Sequence, residues 1–410
     1  MGKNVVITGI GIVSPVGTGK DAYWEALSQG KTGFSPLTLF DASPLKAPLA
    51  GEVSDFDPAA VLGKKGLREL DRSTRLLSVA AKLALEDSTL EITEENAPSI
   101  GVAVGTTFGS LHSIFQFDRS GLIDGPRLVN PSHFPNTVIN SPASRVSIRC
   151  GLKGFNTTIS TGFCAGLDAI SYACDFVRLN RADIVLAGGL EELCEETFTG
   201  FLRLGYLSGS DGREPLCCPF DRRRNGTILS EGACVIVVED EDHALRRGVS
   251  ILAKIAGYSN AFEVSNTPGF DSTGSGLKRA MAHAVMESSL TTRDIECIFA
   301  GANSTRALDR METEVIKEIF GERASSVPIT AIKSMIGETF SASGAFALSA
   351  AVGAIHRGII PPTVNYLQQD PTCDLDYVPN RARAAAVRRT LVISSDPYGN
   401  SSAMIIGKHA

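Results

Sequence analysis

The 410-residue chain reads as an α/β protein made of two successive halves. Three observations predict this. Strand and helix patterns alternate along the chain, and several strands are continuous apolar runs of the kind expected in a sheet covered on both faces. Near Ser250 the alternation starts again. The predicted halves are 1–249 and 250–410, an internal duplication with helices on both faces of mixed sheets.

The elements follow in order. Residues 4–13 form an apolar strand ending in Gly and Pro, and residues 20–29 a helix. Residues 74–88 place their apolar side chains on one helical face, and the buried strand 99–104 follows. A polar, proline-rich excursion, 118–144, interrupts the alternation. An apolar, β-leaning stretch then ends in small residues at a turn, and a helical pattern runs on to about Leu179. Strand 184–187 is closed by Gly188-Gly189, and 234–238 is a further β run. The second half offers strand 251–255, helix 276–289, strand 297–300 and helix 312–320. Short polar loops join the elements, with no low-complexity segment and no flexible linker.

Composition narrows the class. Apolar content of 43% with 20% charged residues fits a well-packed globule and excludes a disordered chain. A net charge of −6 argues against a dedicated nucleic-acid binder. No run reaches the ~18–20 apolar residues of a membrane span. The opening Met1-Gly2-Lys3-Asn4 leads straight into a strand pattern, which predicts no signal peptide. Gly2 would suit myristoylation, but the Ser/Thr that motif requires is missing. The nine cysteines are scattered without metal-type spacing, which predicts free thiols in a reducing cytoplasm and neither metal nor cofactor.

The segment Ile159-Ser160-Thr161-Gly162-Phe163-Cys164-Ala165-Gly166 is the chemical centre of the sequence. A side chain on such a strand-to-helix elbow is held on a sharp bend at a positive helix end. That environment lowers a thiol's pKa and makes it a nucleophile. Position 163 is a phenylalanine, which cannot be acylated.

Six blocks, in order along nearly the whole chain, resemble the β-ketoacyl-acyl-carrier-protein synthases. Residues 219–233, Pro219-Phe220-Asp221 through Ser230-Glu231-Gly232-Ala233, are similar to "PFD…RDGFVLGEGAG", and residues 151–161 to "GLKGPNTAIST". The opening VVITGIGIVSPVG, the block Lys333-Ser334-Met335-Ile336-Gly337, PPTVN at 361–365 and CDLDYVPN at 373–380 match as well. The resemblance implies the thiolase fold, five layers α/β/α/β/α from two duplicated halves, and an obligate dimer. It also implies decarboxylative condensation by one Cys and two His. The Cys takes the acyl chain, and the imidazoles assist loss of CO₂ and stabilise the enolate.

The departures decide the expected function. Phe163 stands at the Cys position, Gly301 at the first His ("NAHGTSTPLND"), and Glu338 at the second ("KSMTGH"). Lys333 is kept, while the family Glu beyond it is Ala347. The gating "FGFGGTN" loop reads Asp396-Pro397-Tyr398-Gly399-Asn400-Ser401-Ser402. None of His112, His133, His243, His283, His356 and His409 falls in a catalytic block. Within the family the pattern is similar to chain-length factors, the silent partners of type II polyketide ketosynthases. They carry Gln in "QAGGLDAL", where this chain has Phe163 before Cys164-Ala165-Gly166-Leu167-Asp168-Ala169-Ile170. Their "PELDRAEAE" block is similar to Ala307-Leu308-Asp309-Arg310-Met311-Glu312-Thr313-Glu314.

Each singled-out residue has a plainer alternative. Cys164 is either a buried packing thiol or a shifted nucleophile. Phe163 fills the pocket or gates it. Glu338 is a solvated or salt-bridged carboxylate beside Lys333, or a general base. Lys333 keeps a structural hydrogen-bonding role, and Asp309 and Glu312 read as scaffold. Tyr398 is a core aromatic or a gate. The arginine-rich stretches 68–75 and 222–224 are solvated faces, structural ion pairs, or docking sites for an acidic carrier protein. Phe108, Phe115 and Phe117 fall where the resemblance places the end of the acyl tunnel.

The expectation is therefore a catalytically silent subunit that pairs with an active ketosynthase, forming a cytoplasmic heterodimer. It would help elongate an acyl chain on an acyl carrier protein and set the length of the tunnel. The competing expectations are an active acyltransferase or decarboxylase using Cys164 or Glu338, and a homodimeric acyl-binding protein without turnover.

Overall fold

Strand β1 (Val5–Ser14) is buried along its whole length and forms the seam of the molecule. The computed structural model describes residues 3–42, 48–264 and 273–409; Gly2 lies outside them. After β1 come helix α1 (Lys20–Ser28), α2 (Arg72–Asp87), β2 (Ile100–Gly105), α3 (Leu111–Ile123), α4 (Ser141–Cys150), β3 (Asn156–Ile159), α5 (Ala165–Arg178), β4 (Ile184–Glu191), α6 (Glu195–Arg203) and β5 (Gly232–Asp240). The second half supplies β6 (Ala253–Phe262), α7 (Ser275–Glu287), β7 (Cys297–Phe299), α8 (Arg306–Phe320), β8 (Ile329–Thr330), α9 (Ala342–Arg357), β9 (Arg389–Ser395) and β10 (Asn400–Gly407).

The duplication is written in the strand order. The first half runs β3-β2-β4-β5-β1 and the second β8-β7-β9-β10-β6. In both, the second strand is parallel to the third and fourth, and the remaining pairs are antiparallel. The halves meet where Val5–Ile7 of β1 pairs antiparallel with Ala253–Ile255 of β6.

Period-two alternation sorts the strand residues into layers. Cys234, Ile236 and Val238 of β5 face one core with α5 and α9, while Val235 and Val237 face another with α2 and α4. In β9, Val392 joins α5 and α9, whereas Leu391 and Ile393 pack with α7 and α8. The two five-stranded halves of this continuous sheet thus enclose a central helical layer and carry an outer helical layer each, the α/β/α/β/α thiolase architecture.

The structure departs from the sequence reading where the local signal was weak. Helix α9 was not legible because it is apolar or small all round and lies in the middle layer, so it shows no amphipathic face. The excursion 118–144 is not irregular throughout: it holds the end of α3, a 3₁₀ segment Pro131–Thr137 and the start of α4. Strand β4 does not stop at Gly188-Gly189 but continues to Glu191. The glycines are there for closeness, since a Cβ on Gly189 would sit 2.6 Å from the Ser341 carbonyl oxygen. Helix α8 starts at Arg306, with Asp309 in its first turn accepting from the Asn303 N–H at 3.1 Å.

Candidate functional site

The end of β3 delivers the chain to a 3₁₀ turn, Gly162–Cys164, from which α5 departs. Gly162 has φ +61°, the left-handed value that lets the chain bend so sharply. Phe163 is fully buried on this bend. Its ring lies 4.9 Å from Phe340, 6.3 Å from Phe201 and 6.4 Å from Tyr206, edge-on or tilted in each case. Phe108, half-buried, closes the same cluster, 5.3 Å from Phe340 and 6.1 Å from Phe201. A buried phenyl contributes about 1.5–3 kcal/mol by area alone, and aromatic pairs add to that.

Phe340 holds φ +46°, a conformation that costs a bulky residue roughly 1–2 kcal/mol. The neighbouring carboxylate anchors it. Glu338 Oε1 accepts from the Phe340 N–H (3.0 Å) and Ser343 Oγ (2.9 Å). Its Oε2 accepts from Lys333 Nζ (2.9 Å) and Asn303 Nδ2 (2.7 Å). Asn303 Nδ2 also donates to the Tyr206 hydroxyl at 3.0 Å. Glu338 is therefore not solvated, as one sequence reading allowed; it is wholly buried with both oxygens engaged. A carboxylate with four donors on it is poorly placed to take a proton from anything else.

At position 301 the absent side chain has left no room. The Gly301 N–H donates to Glu312 Oε1 at 3.1 Å, and a Cβ there would come within 2.7 Å of the same oxygen. Burial, followed by the charge of Asp309, pushes the Glu312 carboxyl up to about 8. Asp309 accepts from the Phe220 N–H at 2.8 Å and faces Arg224, tying the Pro219–Arg224 block to α8.

Cys164 lies below the elbow, fully buried, with Ser394 Oγ 3.7 Å from its sulfur. Burial raises its thiol pKa well above the ordinary value, and Asp168 and Asp396 raise it further. An activated thiol needs the opposite environment. All nine cysteines are free.

The remaining candidates separate. Phe115 and Phe117 are not brought to the cluster around Phe163: they ride on α3, which has no buried residue, with Phe115 45% exposed and Phe117 against Phe134 at 6.1 Å. Tyr398 is not a core aromatic, being 56% exposed on the β9–β10 turn. The arginine stretches are mostly not solvated faces. Arg72 pairs with buried Glu231, Arg223 with Asp221, and Arg224 with Asp370, while Arg75 donates to the Leu67 carbonyl. Arg68 and Arg222 remain exposed. His112, His243 and His409 bond Glu196, Glu239 and Glu241, and His356 the Leu252 carbonyl, none in this cluster.

Phe201, Tyr206 and Phe340 escaped the sequence reading, because an aromatic at loop or helix spacing carries no sign of which partner it meets, and Asn303 escaped it because its partner Glu338 lies 35 residues on. A cleft of about 470 Å³ opens beside the plug, with Phe198, Leu207 and Leu229 shared between its wall and the aromatic cluster. Among the described residues no group of side chains is arranged to hold a metal ion, and no helix is long and apolar enough to cross a membrane.

Residues 2–244 match the family model for the beta-ketoacyl synthase N-terminal domain, and residues 252–367 that for its C-terminal domain. Among curated relatives, a 3-oxoacyl-[acyl-carrier-protein] synthase 2 of Coxiella burnetii is 36% identical, covering 98% of each chain. The tetracenomycin polyketide synthase ketoacyl synthase alpha subunit of Streptomyces glaucescens is also 36% identical, over 99% of this chain and 97% of that one. Among solved structures, the ishigamide ketosynthase/chain length factor superposes with a TM-score of 0.93 at 31% identity, covering both chains completely. A type II polyketide synthase acyl-carrier protein in complex with its ketosynthase bound to the hexaketide gives 0.91 at 29% identity, again with complete coverage.

Proposed function

The chain belongs to the beta-ketoacyl synthase family, and we propose that within it the protein is a catalytically silent subunit, a chain-length factor paired with an active ketosynthase. The observation that carries this reading is Phe163, fully buried on the elbow and held by Phe340. A phenyl ring offers no atom to acylate, and the ring occupies the space a thiolate and its incoming thioester would need. Gly301 and the saturated Glu338 add to it, since neither can donate a neutral imidazole N–H to an enolate.

In this reading the partner does the chemistry. Its thiolate attacks the carrier-bound thioester, a new C–S bond forms as the carrier's own C–S bond breaks, and the carrier leaves as a thiolate that takes a proton from water. A malonyl unit on the carrier loses CO₂, and its enolate carbon attacks the acyl-enzyme, making the new C–C bond and freeing the partner's thiol. The present chain supplies structure: α3 and the segment after it hold an apolar face on which Leu122, Ile123, Leu128 and Phe134 are 87%, 70%, 72% and 59% exposed. Exposed apolar surface on that scale suits a permanent partner. Phe115 and Phe117 sit on that face, where they would close a tunnel arriving from the other subunit. Arg68 and Arg222, the cations of the two stretches still facing solvent, are available to an acidic carrier protein.

Peptide-resolved mass spectrometry tests the reading. The protein is incubated with acyl- and malonyl-carrier protein, with and without a co-expressed ketosynthase. Acylation confined to the partner's cysteine is the expected result. An acyl group on Cys164, or condensation by the lone chain, overturns it.

A further inference from the structure

The loop after α6 and the segment 227–229 frame the cleft beside the plug. Leu207 and Thr227 pair as a short parallel bridge. The Thr227 N–H donates to the Tyr206 carbonyl at 3.1 Å, and the Ser208 N–H donates to the Thr227 carbonyl at 2.7 Å. On its other edge the segment is tied to Glu338, whose N–H donates to the Ile228 carbonyl at 2.8 Å. With both edges held, this wall of the cleft is fixed.

One polar group is left over. The Thr227 side chain is wholly buried, and its hydroxyl oxygen has no hydrogen-bond partner. A hydroxyl so placed has given up water without a return, and a bound acceptor would supply one. Thr227 lines the cleft together with Phe198, Leu202, Leu207, Ile228 and Leu229. Among the described lining residues the one charged side chain is Asp211, which Arg213 engages at the exposed rim. No lining cation is spare for a carboxylate, and no lining anion is spare for an amine. The volume, about 470 Å³, falls within the range of small-molecule sites. A cavity of about 150 Å³ takes a benzene ring, so this one has room for about twelve heavy atoms or more. Phe163, Gly301 and Glu338 do not line it, nor do Phe108, Phe115 and Phe117, so it is distinct from the closed elbow and the tunnel positions.

We infer that the cleft binds a neutral, largely apolar small molecule with one hydrogen-bond acceptor, an ester or ketone whose carbonyl oxygen accepts from the Thr227 hydroxyl. The occupant leans on Phe198, Leu207 and Leu229, which also pack the aromatic cluster, so occupancy braces the plug from outside.

Methyl octanoate is the probe. Equilibrium dialysis of the full chain against the labelled ester is expected to show one saturable site. Sodium octanoate, which carries a charge on a similar chain, should bind about tenfold more weakly or worse. Thr227→Val keeps the shape and deletes the hydroxyl. It should bind the ester about fivefold more weakly and melt no lower than the parent, because no hydrogen bond within the fold is lost. Leu202→Trp, on the half-buried wall, should fill the cleft and abolish saturable binding while circular dichroism shows an intact fold. Absence of a saturable site in the parent, equal affinity for octanoate, or ester binding unchanged in either variant overturns the proposal. So does a valine variant that melts well below the parent, since its hydroxyl would then be engaged within the fold. Should the tryptophan variant fail to fold, the valine arm decides alone. The inference goes beyond the silent-subunit reading, and the acylation experiment does not involve this cleft, so either can fail without the other.

Discussion

Lys333 Nζ and Glu338 Oε2 stand 2.9 Å apart, their side chains 4% and 0% exposed. This buried ion pair sits five residues along one turn, and the same carboxylate fixes the left-handed backbone of Phe340, whose ring plugs the elbow. The pair and the plug are therefore one unit. Removing a single partner from a buried pair leaves an uncompensated charge, at about 3–5 kcal/mol. Lys333→Met should lower the urea midpoint accordingly, and Glu338→Gln should do likewise while loosening Phe340. A double variant costing much less than the sum of the two would confirm the coupling.

Restoring the family residues should not restore chemistry. A side chain at 301 meets Glu312 Oε1 at 2.7 Å and removes the space in which that oxygen accepts the Gly301 N–H. Gly301→His alone should destabilise the chain by about 1–3 kcal/mol through overpacking. The triple variant Phe163→Cys, Gly301→His, Glu338→His should release no CO₂ from malonyl-carrier protein above background. Measurable turnover by that variant would show that three side chains alone separate this site from a working one, and would overturn the prediction.

Stability should carry a specific pH signature at Glu192. Burial, then the charge of Asp71, pushes its carboxyl up to about 8, with Glu191 also nearby and the Ser73 and His112 N–H groups pulling the other way. The folded-state pKa is raised above the unfolded value, so the folded chain binds this proton more tightly. The contribution is whole below about pH 4.5, declines as pH rises toward 8, and is flat above. Glu192→Gln cannot titrate. The stability of the variant relative to the parent should therefore rise by a few kcal/mol between pH 5 and 8. A difference that stays constant over that range would contradict the raised value.

The α3 face should behave as an interface. Leu122→Glu changes a residue that is 87% exposed and touches no core cluster, so the variant should fold as the parent does by circular dichroism. Co-purification with a tagged ketosynthase should drop at least tenfold. In the same complex, Phe115→Ala and Phe117→Ala, singly and together, should lengthen the product. Unchanged product length with intact pairing would remove those two rings from any measuring role.

The sequence by itself determined the class of fold, the duplicated order of elements and the family, and it pointed to Phe163, Gly301 and Glu338 as replacements for the Cys and two His of a condensing enzyme. Those features are local or repetitive: apolar periodicity, glycine-marked turns and motif blocks that survive when one residue within them changes. What the replacements became was decided only in three dimensions. Glu338 looked as if it could be solvated because a sequence shows no burial. Its saturation depends on Asn303, Lys333, Ser343 and the Phe340 backbone converging from separate segments. Phe163 needs Phe201 and Tyr206, from α6 and the loop beyond it, to become a plug. Helix α9 was hidden for a related reason, since a helix buried on all sides has no polar face to set its period. Contacts between residues far apart in the chain fill the elbow around Phe163, and nothing in the local pattern encodes them.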